Sequence, residues 1–308
     1  MLPWTAYGYL GVHLFFMISG FVIAFTLERA KSPHDFATRR FLQLWPPILI
    51  CAVLTFTVMH LVDSPFTMAQ RVDASGFLPS LTFIPTYIWA KILPVDKYID
   101  GAYWSLFVEV RFYFWALVLA MLVGMQRFSI VVFSVTCGLA IAWHSFDQPA
   151  IRFQLDMLFF VPYLPLFTIG ILAYEAIVRR HFFRIIPAII FTWGIEISML
   201  NNVVEMGAVT VFCLLFIALA LRPTSMDWMA CRPLVGLGAI SYAWYLLHQN
   251  VGVTFIGLLP SGLSDITYLF LVFSILSFVI LISWMVFRFV EKPSQGFARR
   301  LTDVWETK

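Results

Sequence analysis

Charge is what this sequence has least of. Asp, Glu, Lys and Arg make up 12% of its 308 residues, where soluble domains carry about a quarter. With 61% hydrophobic residues, that shortage excludes a soluble globular domain and points to a polytopic, all-α membrane protein. Cysteine is also scarce. Cys51, Cys137, Cys213 and Cys231 stand far apart and fit no metal-ligand spacing. Three lie in apolar runs and read as small buried side chains, so neither a metal site nor a disulfide framework is expected. No basic stretch precedes the first apolar run, so no cleavable signal peptide is read. Internal repeats and low-complexity tracts are missing too, and no nucleic-acid partner is expected.

What is present is apolar length. Nine runs are long and uncharged enough to cross a bilayer, which takes about 20 residues each. They fall at 7–27, 41–62, 104–124, 128–146, 156–177, 185–200, 206–221, 234–258 and 266–288. The stretch 78–93, broken by Pro79 and Pro85, reads as a loop or re-entrant piece. One membrane domain is expected over 1–308, with 289–308 as a short tail. The first run, from Gly8 to Ile23, carries His13 and the small residues Gly8, Gly11, Ser19 and Gly20. Small residues let helix backbones approach closely in lipid, and a membrane histidine must face protein or a cavity. This run therefore reads as an internal helix lining something polar.

The connections alternate in charge. Fifteen of the 20 Lys and Arg residues fall in one alternate set of connections, including Arg39, Arg40, Arg179, Arg180 and the C-terminal tail. Positive residues stay cytoplasmic, which puts the C-terminus inside and residue 1 outside. Nine spans with an outside start is an odd topology, and one more helix in front would make it ordinary.

Five motifs occur in order: GYLGVHLFFMISGFVI (Gly8 to Ile23), FATRRFLQLWPP (Phe36 to Pro47), DGAYWSLFVEVRFY (Asp100 to Tyr113), LGAISYAWYLLHQ (Leu237 to Gln249) and FRFVEKP (Phe287 to Pro293). Together they resemble the acyltransferase type 3 family of integral membrane acyltransferases, which includes O-antigen and exopolysaccharide acetylases, glucan succinylases and macrolide acylases. The resemblance covers essentially the whole chain. It implies ten helices with both ends cytoplasmic, in a bacterial plasma membrane. It also implies transfer of an acyl group from cytoplasmic acyl-CoA to a hydroxyl of a saccharide or lipid-linked glycan, with acetyl-CoA as the default donor. The family's first helix, bearing a basic residue and a histidine thought to act in catalysis, precedes the Gly-Val-x-x-Phe-Phe motif. The charge pattern and the resemblance agree in expecting that helix to be absent from this sequence, which leaves an inactive remnant as one alternative.

Acyl transfer to a hydroxyl needs a proton acceptor, donors for the oxyanion and positioning of two substrates. At about 1.5 Å per residue, His13, Glu109, Arg111 and His248 all fall in the outer half of the membrane. Glu109 occupies the glutamate of the family's Trp-Ser-Leu-x-Val-Glu motif and is the leading catalytic candidate, for substrate orientation or proton handling. A structural ion pair, with Arg111 or with a group on another helix, is the competing reading. His13 has the titration range of a general base. Its position in the motif is variable, however, and cavity lining or a hydrogen bond to the preceding helix competes with catalysis. Trp104, Arg111, Tyr242 and His248 are the substrate-binding candidates, with helix–helix hydrogen bonding the alternative for His248. Arg39 and Arg40, at the mouth of the second span, suit the phosphates of CoA, or serve only as topogenic charge. The family pattern there is commonly Arg-x-x-Arg, and Gln43 stands where the second arginine would be. Glu291-Lys292-Pro293 reads as a helix stop, with Glu291 paired to an inner-face arginine and Trp305 at the membrane surface. A transporter or flippase for a lipid-linked sugar is the alternative from another class; the repeats such proteins often show are not visible.

Overall fold

In a bilayer every backbone N–H and C=O must find a partner inside the protein, and helices supply one residue by residue. The computed structural model of the protein describes residues 3–306, with side chains from 7 to 224 and 227 to 302. It is all-α, without strands among the described residues. The principal helices are α1 (Gly11–Arg29), α2 (Pro33–Leu61), α3 (Trp104–Val123), α4 (Phe128–Ser145), α5 (Leu164–Val178), α6 (Phe182–Met199), α7 (Val203–Leu221), α8 (Arg232–Leu247), α9 (Asp265–Val286) and α10 (Lys292–Glu306). Eight helical stretches among the described residues are long and apolar enough to cross a membrane, and they match eight of the nine expected spans. The ninth, 234–258, is helical from Arg232 to Gly257, but its middle is a π-turn, His248–Gly252. The polar run His248-Gln249-Asn250 in that turn makes it less apolar than the others.

Three local expectations are corrected. α2 starts at Pro33, well before residue 41, and runs on through Pro46 and Pro47. Arg39 and Arg40 therefore sit within the helix rather than ahead of it. The run 156–177 is two helices: Pro149–Phe159 stops where Phe160 takes a left-handed φ of 43°, and α5 begins at Leu164. The helix at Phe287–Pro293 does not end. A π-turn, Phe287–Glu291, leads straight into α10, with Pro293 directly after it; the locally widened turn lets the helix pass a residue that has no N–H to donate. The side chain of Trp305, assigned to the membrane surface from sequence, lies outside the described residues. The run 78–93 holds only short helices, Phe77–Thr82 and Thr86–Trp89.

The chain divides into two compact units. The first is Met1–Pro33 with Val108–Ala230, the second His34–Phe107 with Cys231–Lys308. In the first, α5 is the centre: every residue from Leu164 to Ala176 is buried, as expected of a helix apolar all round. It packs against α1, α4, α6 and α7. The closest approach is to α1. A Cβ on Gly20 would collide with the Phe167 carbonyl, and one on Gly170 with the Met17 carbonyl. The two glycines thus bring the backbones into direct contact, the use of small residues that membrane packing favours. Beside that crossing Phe16, Phe112, Phe160 and Phe167 form a cluster, with Phe112 stacked on Phe167 at 4.0 Å. In the second unit the core gathers Ile48, Cys51 and Ala52 of α2, Tyr103 and Leu106, Ala243 and Leu246 of α8, and Val279 of α9.

Candidate functional site

Glu109 lies on the part of α3 that belongs to the first unit and is buried, with 4% of its surface exposed. Its Oε1 accepts two hydroxyls, Ser19 Oγ from α1 at 2.5 Å and Tyr113 OH, one turn along α3, at 2.5 Å. Both donors are themselves buried. The Gly20–Gly170 contact fixes α1, and Ser19 precedes Gly20, so the serine is carried to the carboxylate by the closest helix crossing in the unit. Arg111 points elsewhere. Its Nη1 donates to the carbonyls of Asp156 at 2.8 Å and Met157 at 2.5 Å, and its guanidinium lies 5.7 Å from the Phe160 ring centre. Cations suit the free carbonyls at a helix C-terminus, and the left-handed Phe160 ends that helix in front of the guanidinium. This satisfies Arg111 structurally.

His13 sits on α1 six residues before Ser19, about 9 Å along the axis. It is buried, with the Leu10 backbone beside its ring. Glu205, in the first turn of α7, lies within electrostatic reach and accepts a hydrogen bond from Tyr9 OH at 2.7 Å. On α1, therefore, Ser19 rather than His13 meets Glu109.

The remaining candidates belong to the second unit, where two of the sequence motifs interlock. Asp100, fully buried, accepts the backbone N–H of Ala102 at 2.9 Å on Oδ1 and that of Asn250 at 3.1 Å on Oδ2. Asn250 Nδ2 donates back to the Ile99 carbonyl at 3.1 Å. Tyr245 OH lies 2.7 Å from Ser105 Oγ and donates to the Ala102 carbonyl. Asp100 thereby caps the turn that starts the Trp104 helix and holds the π-turn 248–252 to it. Burial pushes its carboxyl up to about 6, against the pull of the two N–H donors. His248 opens the π-turn and is exposed, its Nδ1 2.8 Å from the Tyr245 carbonyl. Tyr242 OH donates to the Leu44 carbonyl at 3.0 Å, tying α8 to α2. Trp104 is 37% exposed at the start of α3.

Of the two arginines, Arg40 is buried, donates to Gln43 Oε1 at 3.2 Å and lies over the Phe36 ring. The glutamine that departs from the family pattern is thus its hydrogen-bond partner. Arg39 pairs with Asp35 and reaches Thr302 of α10 at 3.3 Å, keeping 40% of its side chain exposed. Glu291, expected to pair with an arginine, instead accepts from Gln295 at 3.1 Å on Oε1, and its buried Oε2 has no partner.

Sequence reasoning missed Ser19 as a partner of Glu109, and Asp100, Glu196 and Glu205 altogether. Glu196 lies inside an expected span, and an intramembrane acid is a candidate by default, so that signal was available. It also missed the charged cluster at the other end of the first unit. There Glu28 accepts from Tyr174 and Arg179, and Glu175 from Arg179 and Ser129, with His181 Nδ1 3.1 Å away. The two π-turns coincide with two of the five motifs, and such turns are frequent at functional sites.

Residues 2–288 match the family described as Acyltransferase domain, and the chain belongs to that family. It is 26% identical over 337 aligned residues to the O-acetyltransferase OatA of Staphylococcus aureus (strain NCTC 8325 / PS 47), with 96% of this chain and 54% of that protein covered. It is 28% identical to Nodulation protein 10 of Rhizobium leguminosarum bv. viciae, over 38% of this chain and 34% of that one. It is also 28% identical to the acyltransferase MdmB of Streptomyces mycarofaciens, over 37% and 28%. The chain thus spans about half the length of the OatA proteins it matches. No solved structure matches it.

Proposed function

We propose that the chain is a membrane O-acyltransferase that moves an acyl group, acetyl by default, from acyl-CoA to a hydroxyl of a saccharide or lipid-linked glycan. The observation that carries this reading is Glu109, a buried motif carboxylate that collects hydroxyl donors. A carboxylate holding two protein hydroxyls is suited to hold a third from an acceptor. In the proposed step Glu109 orients the acceptor hydroxyl and draws its proton as the oxygen attacks the thioester carbonyl. The tetrahedral adduct then expels CoA as thiolate, and the proton ends on that sulfur. Ser19 and Tyr113 fix the carboxylate, and His13 lines the acceptor side.

Arg39 and Arg40 are assigned to the phosphates of CoA. Arg40 is buried, so the accessible contact falls to Arg39, supported by Arg299 and Arg300 one turn before Thr302. On the charge pattern these lie on the cytoplasmic side, with the C-terminus, in a bacterial plasma membrane. Trp104, Tyr242 and His248 are assigned to acceptor contacts in the second unit.

The test is turnover of acetyl-CoA by the purified protein in detergent, followed by release of CoA thiol in the presence of a panel of sugars. Turnover that falls about 100-fold in Glu109→Gln, with thermal stability retained, supports the reading. If the folded protein neither binds nor turns over any acyl-CoA, the enzyme reading is lost. Transport of a lipid-linked sugar, or an inactive remnant, would then be the better account.

A further inference from the structure

We infer that the first unit holds a binding site for a neutral, hydroxyl-rich ligand at the end where α1, α5 and α7 begin and α6 finishes. The site is formed by Glu196, Glu205, His13 and Tyr9. This deepens the acceptor reading above and rests on it.

The argument starts from α6. Most of this helix is exposed or half-exposed, and its buried stripe is Ile189, Thr192 and Glu196. Glu196 is 0% exposed, and neither carboxyl oxygen has a hydrogen-bond partner. Burying a carboxyl group with nothing to donate to it costs several kcal/mol, and such groups call for an explanation in a ligand or a function. His13 is a second buried polar side chain nearby, with the Leu10 backbone beside its ring.

Hydrogen bonds place these residues together. Trp193 Nε1 donates to Thr210 Oγ1 at 3.1 Å, which sets the register of the antiparallel pair α6 and α7. Three residues on from Trp193, Glu196 is then level with residues 206–207, within a turn of Glu205. Tyr9 donates to Glu205 at 2.7 Å, and His13 lies within electrostatic reach of the same carboxylate. Tyr163 introduces α5 beside them, its ring 5.3 Å from Phe16. Tyr9 is exposed and Glu205 half-exposed, so the cluster reaches the surface at its rim while Glu196 forms its floor.

The chemistry selects the ligand. Two carboxyl groups repel an anion, and no three His, Cys, Asp or Glu side chains among the described residues stand in an arrangement that could hold a metal. Carboxyl oxygens, an imidazole and a phenol instead match hydroxyl groups that both donate and accept.

The experiment measures the thermal midpoint of the purified full-length protein in detergent, titrated with N-acetylglucosamine or with glucuronate as probes. A saturable upward shift with N-acetylglucosamine and none with glucuronate is expected. Glu196→Gln should weaken the apparent affinity about tenfold, with Glu205→Gln and Tyr9→Phe also weakening it. Asp265→Asn, in the second unit, should leave it unchanged. If Glu196→Gln does not fold, the two rim variants carry the test. A shift indifferent to these substitutions, or no shift at all, overturns the site. Should acetyl-CoA turnover persist and remain sensitive to Glu109→Gln while no sugar shift is seen, the site fails and the acyltransferase reading stands. Sugar binding that depends on Glu196 in a protein with no turnover is the reverse case: the site stands as a sugar site and the enzyme reading fails.

Discussion

Asp100 and Glu109 are nine residues apart in one motif, and both are buried carboxylates, yet they are held in different ways. Asp100, in the second unit, takes backbone N–H groups from Ala102 and Asn250. Glu109, in the first, takes the side-chain hydroxyls of Ser19 and Tyr113. Backbone donors cannot leave without unfolding a turn, so Asp100 is committed to the fold. Hydroxyls rotate, so Glu109 can exchange a protein donor for a substrate donor at little cost. The two buried acids thus differ in the kind of donor each collects, and the depth of burial does not separate them; the catalytic role proposed for Glu109 rests on that difference.

That contrast can be broken at four points. The largest effect is expected at Glu109: Glu109→Gln should cut turnover about 100-fold while moving the thermal midpoint little, and a collapse of the fold would place Glu109 with Asp100. Next, Asp100→Ala should show the converse. It leaves two buried N–H groups without an acceptor, which costs about 2–4 kcal/mol, read as a lower denaturation midpoint. Ser19→Ala and Tyr113→Phe should each reduce turnover about tenfold; loss in one and none in the other would single out the hydroxyl that stays on the carboxylate.

The smallest effect is a pH dependence. Burial raises the Asp100 carboxyl to about 6 from an ordinary value near 3.8, so the folded state takes up this proton more readily than the unfolded chain. Stability from this group is then gained as pH falls through about 6 and lost as pH rises. Between pH 7 and 5 the wild-type midpoint should rise relative to that of Asp100→Asn. Parallel profiles would mean that the two N–H donors outweigh burial.

Much of the helical plan was legible in the sequence, because a span is a local property of length and apolarity. Eight of nine runs lie in helical stretches long and apolar enough to cross a membrane, one of them, 156–177, divided between two helices. Ends were less legible. Arg39 and Arg40 looked like a boundary, yet α2 passes through them, since a helix stops only where its hydrogen bonding is interrupted. Pro293 looked like a stop, yet the helix passes it by way of the π-turn Phe287–Glu291. Glu109 was legible as an intramembrane charge within a motif. Its partner Ser19 was not, because the pairing depends on Gly20 meeting Phe167 and Gly170 meeting Met17, a contact between segments about 150 residues apart. Glu196 was readable as a charge in a span, but not as an unpartnered one, which only packing reveals.

The π-turns at His248–Gly252 and Phe287–Glu291 have a bearing on how these helices tolerate change. A π-turn holds one residue more than the α-turn it replaces, and each residue of an α-helix is worth about 100° of rotation. Each turn therefore acts as a phase shift: everything beyond it presents a different side from the one an uninterrupted helix would present. A single-residue deletion inside either turn would convert it to ordinary α-helix without breaking the chain. The downstream segment, Val253–Gly257 in one case and α10 in the other, would then keep its present facing, because the deletion removes the extra residue the turn absorbs; closing the turn to α-helix with every residue retained would instead swing it by about 100°. Loss of one residue should therefore be felt less in these two stretches than elsewhere in the same helices, where a deletion rotates everything beyond it by about 100°.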